Sequence, residues 1–267
     1  MKIGSQADKN SAISASNAES IVVRGHDLCR DLVGHITFTD HAWLLVTGRL
    51  PTPAQRRILD ATLVAIAEHG LVPSVAAARI TLAAAPEAIQ GAVAAGLLGC
   101  GSVILGSAES AAHFMSGILT HVTLRDVNAA TLAALIEARD AHRAVPGYGH
   151  PLHKQNDPRV GRLLAIADEA GVAGRHVAVA RLIEQKLPEV TGKPLVMNVS
   201  GAIAAVMLDA GFPLLAVKSV PILARTASLI AHLLEEQERP IGFILADEGA
   251  SSIGYDGPAP AGFVPGT

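Results

Sequence analysis

The sequence predicts an all-α protein. Half of its 267 residues are hydrophobic and only 3% are aromatic. Ala, Leu, Val and Ile fill the apolar positions at helical spacing, and strand-like runs are few and short. Ala loses no side-chain entropy in a helix and Leu loses little, so this composition favours helices. The length suffices for one domain, or two closely packed ones, around a large core.

The elements follow in order. The spacing predicts a helix over 40–47, N-capped by Thr39 and stopped by Gly48. Thr52 and Pro53 open the next, running to about Ala67; proline in the first turn forfeits no needed hydrogen bond. Residues 74–85 and 86–98 give two more. The glycine-rich 99–107 predicts a loop, or a helix kinked by close packing. Helices follow over 107–119 and 129–143, then a turn cluster, VPGYGH, at 145–150. Asp157 and Pro158 open a helix through Ala170, and 173–186 makes the next. Helices at 201–210 and 221–236 complete the set. The Pro- and Gly-rich tail after Pro240 is expected to be irregular or to drape over a partner. No linker separates domains in the sequence, so a second domain would be inserted in the first.

Composition limits the function classes. A net charge of −3 gives no field for nucleic acid or a membrane surface. An anionic substrate would need locally clustered arginines. No stretch of about 18 apolar residues is free of breakers and charges, so no membrane span is expected, and the first residues lack the apolar core of a signal peptide. Cys29 and Cys100 have no metal-type spacing and read as buried free thiols in a reducing cytosol. The mean hydropathy of +0.38 is high for such a chain and suggests a wide subunit interface beside buried helices. The sequence holds no P-loop, no dinucleotide-binding glycine pattern and no zinc-type motif, and no metal is expected.

Four clusters carry chemistry. In GYGHPLHKQNDPRV (147–160), His150 follows a tight glycine turn and Arg159 sits at a helix start. A histidine that passes protons near neutral pH, beside an arginine that grips a carboxylate, suits chemistry on a carboxylic acid. A surface loop with an incidental histidine is the plainer reading. In KPLVMNVSGA (193–202), an Asn before a helix start is by itself a cap. In ARTASLIAHLLEEQERP (224–240), helical spacing puts Arg225, Ser228, Leu229 and His232 on one face. An arginine on an apolar face must find a carboxylate or a bound anion. In AEHGLVPSVAAAR (67–79), His69 lies at a helix end, where a structural role is as good a reading as a functional one.

Together these segments resemble the citrate synthase superfamily. That family carries a GYGH…DPR segment, an Asn-Val-Asp…Gly segment and an ARTAGWIAH-like helix followed by an ERP or RPR turn. The stretch RGHDLCRDLVGHITFTDHAWLLVTGRLPT (24–52) resembles its "RGY…L…F.E.AWLL..G.LPT" run, and 68–79 its DHE…STVR run. The likeness spans roughly Ile21 to Ile241. It implies an all-helical homodimer whose subunits have a large domain (1–110 and 212–267) and a small domain (111–211) around a cleft. It implies that His150 contacts an oxoacid carbonyl, that Arg159 and Arg225 bind carboxylates, that Arg239 is lent by the partner subunit and that His69 also contacts substrate. Val145, Pro146, Gly147, Tyr148 and Gly149 match the loop that receives coenzyme A.

Two departures matter. The family's HGGAN appears here as LGSAE (105–109), so Leu105 stands where citrate synthases have the histidine that polarises the thioester. The citryl-CoA lyase branch also lacks that histidine, so Leu105 points to that short branch. Ser200 stands where the family has an aspartate that exchanges a proton with the acetyl methyl group. A serine hydroxyl does not titrate near neutral pH. The resemblance thus implies a CoA-dependent carbon–carbon lyase for citryl-CoA or a related 3-carboxy-3-hydroxyacyl-CoA, with His150 and Ser200 catalytic. A related enzyme with another acyl-CoA substrate, or a non-catalytic CoA-ester binder, are the rival readings.

Overall fold

The computed structural model describes residues 10–120, 122, 126–149 and 153–263. Three short antiparallel strands come first, β1 (Ser14–Ser16), β2 (Ile21–Val23) and β3 (His26–Asp27), in sheet order β1-β2-β3. A π-helical turn over Leu28–Leu32 follows, capped by the Asp27 carboxylate. Strands of two or three residues are too short to show a period-two pattern, which is why the sequence did not announce them.

The helices then run as α1 (Phe38–Thr47), α2 (Pro53–Ala67), α3 (Pro73–Ala84), α4 (Ile89–Leu98), α5 (Ser107–Leu119), α6 (Val127–Asp140), α7 (Pro158–Glu169), α8 (Arg175–Thr191), α9 (Val199–Asp209), α10 (Ser219–Glu238) and α11 (Gly242–Ser251). N-cap side chains fix the starts of α1, α2, α7 and α9. Thr37, not Thr39, caps α1: its Oγ1 accepts from Asp40 N, and the Asp40 carboxylate accepts from Thr37 N. Thr39 lies inside the helix and donates to Asp60. Thr52 and Gln55 make the same reciprocal box at α2. α4 starts later than residue 86 because Ala85–Ala88 closes a turn of its own. α8 outlasts residue 186, running through Pro188 to a left-handed Gly192.

The tail expectation is corrected by α11. The buried Glu236 carboxylate accepts from the amides of Ile241 and Gly242, which starts a helix directly after the Pro240 break. Gly242 allows that helix to press on α3: a Cβ there would sit 2.6 Å from Arg79 O.

α9 is buried along Val199–Met207 and is the central helix of the molecule. Around it pack α2, α5, α7 and α8, with α6 against α8. The main core runs continuously from Trp43 to Ala224. A second cluster, including Val75, Leu82, Ala92, Leu229 and Leu233, joins α3, α4 and α10. Residues 214–238 have the length and mean hydropathy, 1.5, of a membrane span, although Lys218, Pro221 and Arg225 interrupt the apolar run. Helix α10 within them packs on α2, α3 and α4 and buries Arg225 and Glu236, with 39% of the apolar window buried. Cys100 is buried as expected, whereas Cys29 is exposed because the turn that carries it covers only Leu32.

Candidate active site

A cavity of about 1700 Å³ opens beside the N-termini of α5 and α9. Pockets for drug-sized ligands run to roughly 300–1,000 Å³, so this one has room for a large substrate. Its walls bring together residues far apart in sequence, including His69, Leu105, Ser107, Arg159, Ser200 and Arg225.

The loop over 145–149 is fixed from below by the start of α9. Asn198 Oδ1 accepts from the Ser200 and Gly201 amides, and its Nδ2 donates to Gly149 O at 2.8 Å. Asn198 is therefore a cap, as its position suggests, and a tie to the loop as well. Asn198 N donates to Gly147 O at 2.9 Å, and Gly149 N to Val196 O at 2.8 Å. Two glycines permit this contact. A Cβ on Gly201 would lie 2.6 Å from Gly147 O, and one on Gly147, at φ +88°, would lie 2.8 Å from Gly201 Cα. Val145, Pro146, Gly147, Tyr148 and Gly149 all line the cavity. The Tyr148 hydroxyl does not serve it: that group is buried, donates to Ala180 O at 2.7 Å, and burial raises its pKa well above normal. Tyr148 anchors the loop to α8.

Arg225 is 2% exposed on α10. It forms no ion pair within 4 Å among the described residues, its Nε has no hydrogen-bond partner, and its Nη1 makes one long bond of 3.4 Å to Ser228 Oγ. Burial pulls its pKa below the usual arginine value, partly opposed by the charge of Glu68. Glu68 is itself committed, accepting from Ser228 Oγ at 2.5 Å and facing His232 Nε2 at 3.0 Å. The expected face of α10 thus exists, but its carboxylate serves Ser228 and His232 rather than Arg225.

Arg159 differs. Its Nε and Nη2 are held by Asp157 at 2.9 and 2.8 Å. Burial pushes the Asp157 carboxyl up, but Arg159 and the amides of Arg159 and Val199 hold it below the usual range. Arg159 reaches the cavity with part of its fork already engaged. His69 faces His153 with ring nitrogens 3.4 Å apart. Arg239 is not in this cavity: its side chain is 81% exposed at the end of α10, 3.9 Å from Glu235. His150 lies outside the described residues.

Ser200 Oγ accepts from Ser107 Oγ at 2.8 Å. Ser200 is 8% exposed, in the first turn of α9, and Ser107 opens α5. Leu105 is buried at φ +65°, with an apolar side chain that donates nothing to the cavity. Sequence reasoning missed Ser107, Glu68 and Asp157. Ser107 did leave a signal, a hydroxyl in LGSAE where the family has glycine.

A glycine loop, a buried arginine and two helix N-termini thus surround one large cavity in an all-α fold. Residues 51–242 match the citrate synthase C-terminal domain, so the chain belongs to the citrate synthase family. It is 25% identical over 209 residues to the citrate/2-methylcitrate synthase of Bacillus subtilis (strain 168), covering 75% of this chain and 53% of that relative. The chain thus spans about half the length of the curated relative it matches. Among solved structures, the citryl-CoA lyase of Hydrogenobacter thermophilus superposes with a TM-score of 0.84 at 31% identity, covering 96% of this chain and 97% of that one. An ATP citrate lyase of Methanosaeta concilii in complex with (3S)-citryl-CoA gives 0.76 at 20% identity, covering 96% and 43%. The citrate synthase of Thermoplasma acidophilum gives 0.68 at 20%, covering 86% and 59%. These last two show the shared fold.

Proposed function

We propose that the protein is a carbon–carbon lyase that cleaves citryl-CoA or a related 3-carboxy-3-hydroxyacyl-CoA into acetyl-CoA and a 2-oxoacid. The observation that carries this reading is Arg225: a buried guanidinium with an unbonded Nε, lining the same cavity as the 145–149 loop. A buried cation without a protein carboxylate is costly, and a substrate carboxylate would satisfy it. Leu105 supports the lyase branch, which, like this chain, lacks the histidine that citrate synthases carry at that position. The end-to-end match in length to a citryl-CoA lyase supports the same choice.

In this reading His150 takes the proton of the substrate hydroxyl as the carbon–carbon bond breaks. The bonding pair moves onto the thioester as an enolate, and the former hydroxyl carbon becomes the ketone of the oxoacid. Arg225 and the free edge of Arg159 hold the carboxylates and orient the leaving oxoacid. The enolate carbon is then protonated by water. Arg239 is lent to a second copy of the chain, which fits its place outside its own cavity. The reading carries with it a homodimer, a cytoplasmic location and no resident metal. A second reading, an enzyme for a different acyl-CoA, is favoured by one observation, Ser200 in place of the family aspartate.

Titration calorimetry with coenzyme A, acetyl-CoA and oxaloacetate tests the reading. Binding of both the thioester and the dicarboxylate is expected. Binding of the thioester alone would contradict a lyase and leave only a CoA-ester binder.

A further inference from the structure

The two departures from the family pattern in 105–109 and at 200 meet in space. Ser107 and Ser200 are 93 residues apart, and their hydroxyls are bonded at 2.8 Å. Two hydroxyls hold two protons, and their mutual bond uses one. Among the described residues neither has another hydrogen-bond partner through its side chain. Both line the cavity, so the second proton is available to it. No carboxylate or imidazole among the described residues bonds the pair, and a serine hydroxyl does not itself titrate near neutral pH. What it can do is donate a hydrogen bond.

Its surroundings favour an oxygen that carries negative charge. α5 begins at Ser107, runs for 13 residues and has no side-chain cap, so the positive end of its dipole lies at the pair. Independently, the buried Arg225 leaves its Nε unbonded in the same cavity. Leu105, two residues from Ser107, offers no donor of its own.

We infer that Ser107 and Ser200 form an uncharged two-hydroxyl donor for the thioester oxygen of the substrate. Ser200 makes the contact. Ser107 is a positioning residue: by donating to Ser200 it turns the Ser200 proton outward. When the carbon–carbon bond breaks and the electron pair moves to the thioester oxygen, this donor steadies the enolate without itself gaining or losing a proton. The inference rests on the CoA-ester reading and goes beyond it in naming what replaces the missing histidine.

The test compares affinity for coenzyme A with affinity for carboxymethyl-CoA, whose carboxylate places anionic oxygen beyond the sulfur. The proteins are wild type, Ser107→Ala, Ser200→Ala, the double variant and Ser107→Thr. Wild type is expected to prefer carboxymethyl-CoA by about tenfold or more, the value of a charge-assisted hydrogen bond. Each alanine variant should lose most of that preference while still binding coenzyme A, which also reports that it is folded. The double variant should lose no more than either single, because the hydroxyls act as one unit. Ser107→Thr should restore the preference. An unchanged preference in Ser107→Ala, or additive losses, would overturn the inference while leaving the CoA-ester reading in place. Wild type that fails to bind coenzyme A would overturn both.

Discussion

Arg225 concentrates the functional claim in one side chain. Arg225→Leu removes the guanidinium and keeps the apolar contacts of α10. Oxaloacetate affinity should fall by roughly 10- to 150-fold, the range of a charge-assisted carboxylate bond, with coenzyme A affinity nearly unchanged. Equal loss of both ligands in calorimetry would mean that Arg225 only holds the fold. Asp209 gives a contrasting case, structural and pH-dependent. Its carboxylate accepts from the amides of Gly174, His176 and Val177 and from His176 Nδ1 at 2.8 Å, so it caps α8 from the end of α9. Burial pushes its pKa up, but His176 and the three amides outweigh this and hold it below the usual carboxylate value. A depressed folded pKa contributes stability above the unfolded value, about 3.9, that is lost as pH falls below it. Asp209→Asn should therefore cost about 2–4 kcal/mol at pH 7 and flatten the loss of stability below about pH 5. Urea titrations at pH 7 and pH 3.5 measure both. Equal stability at pH 7 would show that water replaces the cap.

At the scale of elements, the contact between the 145–149 loop and α9 is the joint on which the cavity depends. Gly201→Ala sets a Cβ against Gly147 O, backbone against which nothing flexible can yield. The expected cost is about 1–3 kcal/mol of stability, together with loss of coenzyme A binding as the loop is pushed off α9. A variant that keeps both would show that the loop rides on Asn198 alone. The helices were legible in the sequence where caps are local: Thr52, Asp157 and the stop at Gly48 each act on their own neighbours. They were illegible where the cap comes from elsewhere. α11 starts because Glu236, itself held by Arg79 at 2.7 Å, reaches forward to two amides. α8 is capped by Asp209, some thirty residues further along the chain. The site divides in the same way. The loop glycines and arginines are readable as types, but the pairing of Arg159 with Asp157, and of Ser107 with Ser200, is a fact of tertiary approach.

The whole molecule exposes apolar side chains on its last two helices, Ile230 and Leu234 on α10 and Phe243 and Ile244 on α11, on either side of the exposed Arg239. A dimer built there would cover apolar surface and bring a further cation toward a second copy's cavity. Light scattering should give twice the 27.5 kDa chain mass, and Arg239→Ala should weaken oxaloacetate binding without dissociating the dimer. A ligand-competent monomer would contradict this. The reading turns on carbon–carbon bond cleavage in a CoA ester, and acetyl-CoA release from citryl-CoA tests it most directly. Wild type should release acetyl-CoA and oxaloacetate in equal amounts, with the rate abolished in His150→Ala and in Arg225→Leu. Binding of coenzyme A and oxaloacetate without any such turnover would contradict the claim and leave Ser200 as the mark of a different acyl-CoA substrate.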